Sequence, residues 1–258
     1  MVAMKHHNKD ITVIGAGWLG LSLIKRLHAL GHTTIGTSRQ QDCLDELNEL
    51  GAKGLFFDLD APDWDVTARS ILSTSEVLIL TVPASRKRPE IESWYPDRLG
   101  SLTKLAQEAG VNQVIFTSST GVYPNVNGPV TVLTPVEPQT SSTKGIVAFE
   151  NELMRLGFPK ITILRLAGLV GGDRHPVKFL SGRTLPGGDD PINLVDRDQV
   201  IEAVLEVLAD DKPPLLKNVV WSDHPAKKVF YSNEAKRLGV DPPVFMDGHA
   251  PGGFKIVQ

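Results

Sequence analysis

"ITVIGAGWLGLSLIKRL", residues 11–27, runs an apolar stretch straight into a helical pattern, with Gly15, Gly17 and Gly20 at the join. Ile11–Gly15 reads as a buried strand, and the apolar spacing from Trp18 to Leu30 reads as a helix. Gly-x-Gly-x-x-Gly is a weak pattern alone, but here it has the strand before it and the helix after it that the motif requires. In that setting Gly15 permits the tight turn, Gly17 lets backbone approach a pyrophosphate, and Gly20 lets helix pack on strand. The start of the helix, Trp18 and Leu19, then offers amide N–H groups and a partial positive charge to phosphates. The competing reading is a glycine-rich turn with no ligand.

Working outward, short apolar runs alternate with helical stretches, the pattern of a parallel sheet covered on both faces. Further strands are expected at Thr33–Thr37, Gly54–Phe57, Val77–Thr81, Gln113–Thr117 and Ile161–Leu166. Helices are expected at Gln41–Leu50, in a stretch ending near Ala109, and at Ser142–Leu156. The fold class is α/β, a Rossmann-type doubly wound parallel sheet. Residues 1–10 read as a disordered lead-in, 11–166 as a dinucleotide-binding core, and 167–258 as a substrate-facing lobe with returning core elements at about 193–221. Residues 167–191 are Gly- and Pro-rich, too irregular for sheet or helix, and are expected to form a functional loop or lobe. A short strand and an amphipathic helix follow over 192–210, then a strand at Asn218–Trp221 and a helix at Ala226–Leu238. The tail, Asp247–Gln258, offers little to bury and is expected to be poorly packed or to lean on a neighbouring molecule.

Which dinucleotide fits is decided at the end of the second strand. An NAD-preferring fold carries a carboxylate there for the ribose 2′-OH. Here no carboxylate stands between Gly20 and Arg39, and the strand ends in Thr37, Ser38 and Arg39. Hydroxyls and a forked cation suit a 2′-phosphate, so NADP is expected rather than NAD. The other reading makes Arg39 a solvated residue leading the next helix. Asp58, after the third strand, is a candidate for the adenine edge or a turn-former in "FDLD". Pro83 follows the fourth strand on the cofactor side of such a sheet, and the basic run "SRKRP", residues 85–89, comes just after it.

With 258 residues, 41% hydrophobic and 22% charged, the chain has the composition of an ordinary soluble protein. A net charge of -3 gives no drive toward nucleic acid or an anionic membrane, and no run of about 18 apolar residues occurs. One cysteine, Cys43, excludes an internal disulfide and a cysteine-cluster metal site. A cytoplasmic location, a small-molecule ligand or substrate and a homodimer are the expectations.

More specific blocks lie further along. "FTSSTGVYP", residues 116–124, resembles the Ser-Ser-x-x-Val-Tyr-Gly segment of the extended short-chain dehydrogenase/reductase family, which includes nucleotide-sugar epimerases and dehydratases. "ILRLAGLVGGDRHP" (163–176) and "INLVDRDQVIEAV" (192–204) are similar to two later segments of that family. Together with "GAGWLG" they look closest to its YeeZ-like group of atypical members. The resemblance implies a catalytic role for Ser119, as the group that hydrogen-bonds a substrate oxygen.

The family's Tyr-x-x-x-Lys pair is missing from "PQTSSTKGIVAFE", residues 138–150. One register sets Thr140 and Lys144 in its place; a second, which keeps Pro138 and Glu150 as anchors, sets Ser142 and Ile146 there. In neither does a phenol stand at the acid position, and an aliphatic hydroxyl is too weak an acid to replace it. Asp173, Arg174 and His175 fall on the loop that covers substrate in the resembled family. His175 is the candidate acid near neutral pH, and Arg174 a candidate clamp for an anionic substrate; a solvated polar loop is the alternative. Three functions remain open: an NADP-dependent epimerase, dehydratase or reductase on a small polar metabolite, an NADP-binding sensor or scaffold without turnover, and a nucleotide-sugar enzyme of the ordinary extended type, against which the absent tyrosine argues.

Overall fold

The computed structural model describes residues 8–172, 174–250 and 252–258. Its elements begin with β1 (Asp10–Ile14), α1 (Trp18–Ala29), β2 (Thr33–Ser38), α2 (Gln41–Glu49), β3 (Lys53–Phe56) and α3 (Trp64–Leu72). Then come β4 (Val77–Leu80), α4 (Ile91–Glu108), β5 (Gln113–Ser119), β6 (Gly128–Val130), α5 (Ser141–Arg155), β7 (Lys160–Leu166) and β8 (Gly168–Val170). The chain continues through α6 (Pro176–Leu180), β9 (Thr184–Leu185), β10 (Leu194–Asp196) and α7 (Arg197–Ala209). It closes with β11 (Leu216–Val219), α8 (Lys227–Leu238), β12 (Val244–Phe245) and β13 (Lys255–Val257).

A seven-stranded parallel sheet of order β11-β7-β5-β4-β1-β2-β3 organises these elements, as the alternating pattern predicts. The order turns back at β1, with β2 and β3 to one side and β4 to the other, which is the doubly wound arrangement. Every residue of β4, Val-Leu-Ile-Leu, is buried, as a strand covered on both faces must be. Tyr95, Phe116 and Phe149 lock α4, β5 and α5 together, with Phe116 and Phe149 edge to face at 4.8 Å. At Gly145 an added Cβ would stand 2.8 Å from the Ile91 carbonyl oxygen, so a glycine lets α4 and α5 close on each other.

Two compact units divide the chain. The first takes the described residues up to Ser118, Thr140–Leu164 and Ile201–Lys217; the second takes Ser119–Gln139, Arg165–Val200 and Asn218–Gln258. In the second unit the core is Val170, Val177, Ile192, Leu194, Tyr231 and Ala235, with Trp221, Phe230 and Phe245 packed against it.

Three expectations need correction. First, a helix outside the expected set, α3, stands between β3 and β4, with Trp64, Ala68, Ile71 and Leu72 as its buried stripe. Second, residues 167–191 contain short regular elements, β8, α6 and β9, each paired or packed within the second unit: β8 with β10, β9 with β12, α6 with α8. Third, the tail is packed. β13 pairs in parallel with β6, Val257 is fully buried, and the Asn193 side chain donates to the Lys255 carbonyl and accepts from the Val257 amide. A handful of alternating residues among glycines sufficed to add a strand, which low apolar content had argued against.

Candidate dinucleotide site

The glycine loop is built as the motif demands, and the first unit holds it by side chains the motif does not mention. Gly15 sits at φ +104°, where an added Cβ would lie 3.1 Å from Thr81. Gly20 is closed more tightly still, its missing Cβ lying 2.3 Å from the Gly15 carbonyl oxygen. Gly17 differs: nothing stands within 4 Å of its Cβ position. Two glycines therefore serve contact inside the protein, and the middle one faces open space.

Thr81, directly after β4, donates from Oγ1 to the Gly15 carbonyl at 2.7 Å, and Thr37 Oγ1 accepts from the Gly15 amide at 3.3 Å. The buried Cys43 thiol donates to the Ala16 carbonyl at 2.8 Å. Burial pushes that thiol's pKa up, so Cys43 is a loop anchor rather than a reactive group.

Gly17 caps α1 with no side-chain hydrogen bond, and the first turn has no acidic residue. The first amides of a helix have no partner inside it, and they give a helix start a partial positive charge that favours an anion. Space beside Gly17 and a positive helix end are what a pyrophosphate requires. The residues fit a dinucleotide.

Around this loop the parallel strands deliver the other candidates to the same sheet end. Ser38 closes β2, and its Oγ accepts from the Gln40 amide at 3.1 Å. Arg39 is exposed, with Nη1 3.9 Å from Asp58 Oδ1 just beyond β3. Pro83 is exposed beyond β4, next to Val82, whose carbonyl accepts from the Tyr95 hydroxyl at 2.6 Å. In the basic run, Arg88 lies over the Trp94 ring at 4.0 Å and pairs with Asp60 and Glu90. It is thus tied down by residues that the charge pattern alone did not single out.

On α5, Thr140 is the N-cap, and it makes a capping box with Thr143. Lys144 is exposed, 3.8 Å from Glu92 on α4. Ser142 and Ile146 lie on the buried stripe of the same helix, and the Ser142 hydroxyl is buried without a hydrogen-bond partner. The chain's three tyrosines are Tyr95, Tyr123 and Tyr231, and none has a lysine four residues later. All three are buried, and burial raises the pKa of Tyr95 and Tyr231.

The second unit holds the remaining candidates. Ser119 caps a short 3-10 turn, Thr120–Val122, and its Oγ accepts from the Gly121 amide at 3.0 Å, leaving its own O–H to donate. That three-residue turn leads into Tyr123, whose phenol accepts from Arg165 at 3.0 Å and donates to Asn218 at 2.7 Å. Lys255 Nζ donates to the Tyr123 carbonyl at 2.9 Å, so β13 helps fix the Ser119 loop.

His175 caps α6. Its Nδ1 accepts from the Val177 amide at 3.4 Å, its Nε2 lies 2.9 Å from Glu234, and its ring stacks on Phe230. Both ring nitrogens are thus engaged. Arg237 bonds hold the Glu234 carboxyl below its ordinary range despite partial burial, with His175 adding to the effect. Arg174 is exposed and forms a backbone bridge with Gly171; Asp173 lies outside the described residues. No His/Cys/Asp/Glu group of metal-holding geometry occurs among the described residues.

A strand-loop-helix dinucleotide cradle on a doubly wound sheet defines a class, and the comparisons agree with it. Residues 15–211 match the NAD(P)H-binding family model, and the chain belongs to that family. It is 34% identical over 256 residues to Protein YeeZ of Escherichia coli strain K12, spanning 97% of this chain and 91% of that protein. The enzyme WbmG of Bordetella bronchiseptica, solved with NAD and UDP, has the same fold with a TM-score of 0.80, at 19% identity over 100% of this chain and 86% of that one. A putative NAD-dependent epimerase/dehydratase from Methylobacillus flagellatus gives a TM-score of 0.75 at 23% identity, over 98% and 89%. The likeness to YeeZ bears out the resemblance to the YeeZ-like group, and the solved structures share the fold.

Proposed function

We propose that the protein binds NADP through the first unit and acts as an epimerase-, dehydratase- or reductase-type enzyme on a small polar metabolite. The observation that carries this reading is the glycine-capped start of α1, open beside Gly17, with Arg39 rather than a carboxylate at the end of β2. The nicotinamide supplies hydride chemistry when bound. Trp18, Leu19 and Gly20 offer backbone amides to the pyrophosphate, and Ser38 and Arg39 take the 2′-phosphate. Ser119 orients a substrate oxygen through the O–H that its cap bond leaves over. Arg174 serves an anionic group of the substrate.

Proton transfer does not run through a phenol–lysine pair in this reading, because neither register on α5 supplies one. His175 remains the acid of the proposal, and to deliver a proton it must release Glu234. That engagement is the specific observation favouring the second reading, an NADP-binding sensor or scaffold that turns nothing over. A thermal-shift screen with NADP, NAD and UDP-sugars tests both, since a ligand bound only by the native state raises the midpoint. The enzyme reading expects NADP to raise it and a polar metabolite to raise it further. A rise with NADP, no further rise and no turnover would favour the sensor, and no rise with any dinucleotide would contradict both.

A further inference from the structure

The ends of β2 and β3 set two opposite charges side by side. The strands pair in parallel with Ser38 opposite Phe56, and the Phe57 amide donates to the Ser38 carbonyl at 3.2 Å. Arg39 and Asp58 therefore leave the same sheet end together, 3.9 Å apart. Their freedom differs. Asp58 Oδ1 accepts from the Asp60 amide at 3.1 Å, which fixes the carboxylate in a turn, and its side chain is 30% exposed. The Arg39 side chain is 66% exposed and has a long flexible stem.

We propose that Asp58 sets the cofactor preference, holding Arg39 as a weak ion-pair partner from which a 2′-phosphate must take it. The inference rests on the reading of Arg39 as the 2′-phosphate ligand and adds the residue that opposes it. An exposed pair at this separation shifts an equilibrium by no more than about fivefold. A phosphate outcompetes it, because it accepts the guanidinium fork through two oxygens. Asp58 cannot follow, and it is left as an unpaired negative charge near a second one. With NAD the pair stays intact and nothing is lost. Asp58 thus lowers the preference for NADP below what Arg39 alone would give, and adenine-edge contact would not have this effect.

Calorimetric titration of NADPH and NADH into wild type, Asp58→Asn, Arg39→Gln and the double variant tests this. Asparagine keeps the acceptor for the Asp60 amide, so the turn survives, and unliganded melting midpoints verify it. The expected result is that Asp58→Asn tightens NADPH about three- to fivefold while NADH changes less than about twofold. On the Arg39→Gln background the gain is at least halved. Equal changes for both cofactors, weaker NADPH binding, or a gain undiminished without Arg39 would overturn the role of Asp58 while leaving the Arg39 reading in place. A wild type without NADPH preference, unaffected by Arg39→Gln, would overturn both.

Discussion

The Thr81 hydroxyl donates to the Gly15 carbonyl oxygen at 2.7 Å, tying the end of β4 to the turn after β1. The absent side chain of Gly20 would press on that same oxygen, so one carbonyl organises the strand, the turn and the helix start. Thr81→Val keeps the shape and removes the donor. The Gly15 carbonyl keeps the Gly17 amide as a donor at 2.7 Å, so the change removes one hydrogen bond, worth about 0.5–1.5 kcal/mol. Urea denaturation is expected to show a loss in that range, with a larger one for Gly20→Ala, whose methyl has no room. An unchanged midpoint for Gly20→Ala would mean that α1 stands off from the loop.

The tail provides a second prediction. Deleting Lys255–Gln258 removes β13, the buried Val257 and both Asn193 bonds. Burial of one valine alone is worth about 1.5–3 kcal/mol. The melting temperature of the truncated protein should fall by several degrees, and an unaltered value would return the tail to the loose segment its composition suggests.

At His175 the structural and catalytic proposals give separate readouts. His175→Ala removes a cap, an ion-pair partner and a stacked ring, and should cost about 1–3 kcal/mol in stability whatever the protein catalyses. If an activity is found and His175 supplies the proton, turnover falls about 10²–10⁴-fold as well. Glu234 gives the pH dependence. Its pKa is depressed on folding, chiefly by Arg237, so its contribution is full above the ordinary glutamate value of about 4.3 and is lost as pH falls through the lower folded value. Acid unfolding curves should therefore be shallower below that pH for Glu234→Gln than for wild type; parallel curves would show that the pair adds nothing.

The glycine loop and most of the strands of the first unit are legible because their signals are local and periodic, whereas α3 is not. Strand, glycines and helix occupy consecutive residues, so Gly15, Gly17 and Gly20 carry their roles in their spacing. Contacts joining distant segments were not legible. Thr81 meets Gly15 and Cys43 meets Ala16 only once the sheet forms, and a threonine after "LIL" or a lone cysteine announces no such partner. His175 shows the same limit. Its loop position suggests a candidate acid or a solvated residue, whereas Glu234 and Phe230, which engage it, lie more than fifty residues on. The tail failed for a different reason: composition reports average burial and misses a single strand such as Lys255–Val257.

Calorimetric titration of wild type, Arg39→Asp and Gly17→Val with NADPH and NADH tests the central claim most directly. Wild type should bind NADPH more tightly than NADH, and Arg39→Asp should abolish or reverse the preference, since like charges would then meet. Gly17→Val should leave folding intact, its Cβ having nothing within 4 Å, and should abolish binding of both cofactors by filling the approach to the pyrophosphate. Equal affinities in the wild type would contradict the assignment of NADP, and full binding by Gly17→Val would contradict the site itself.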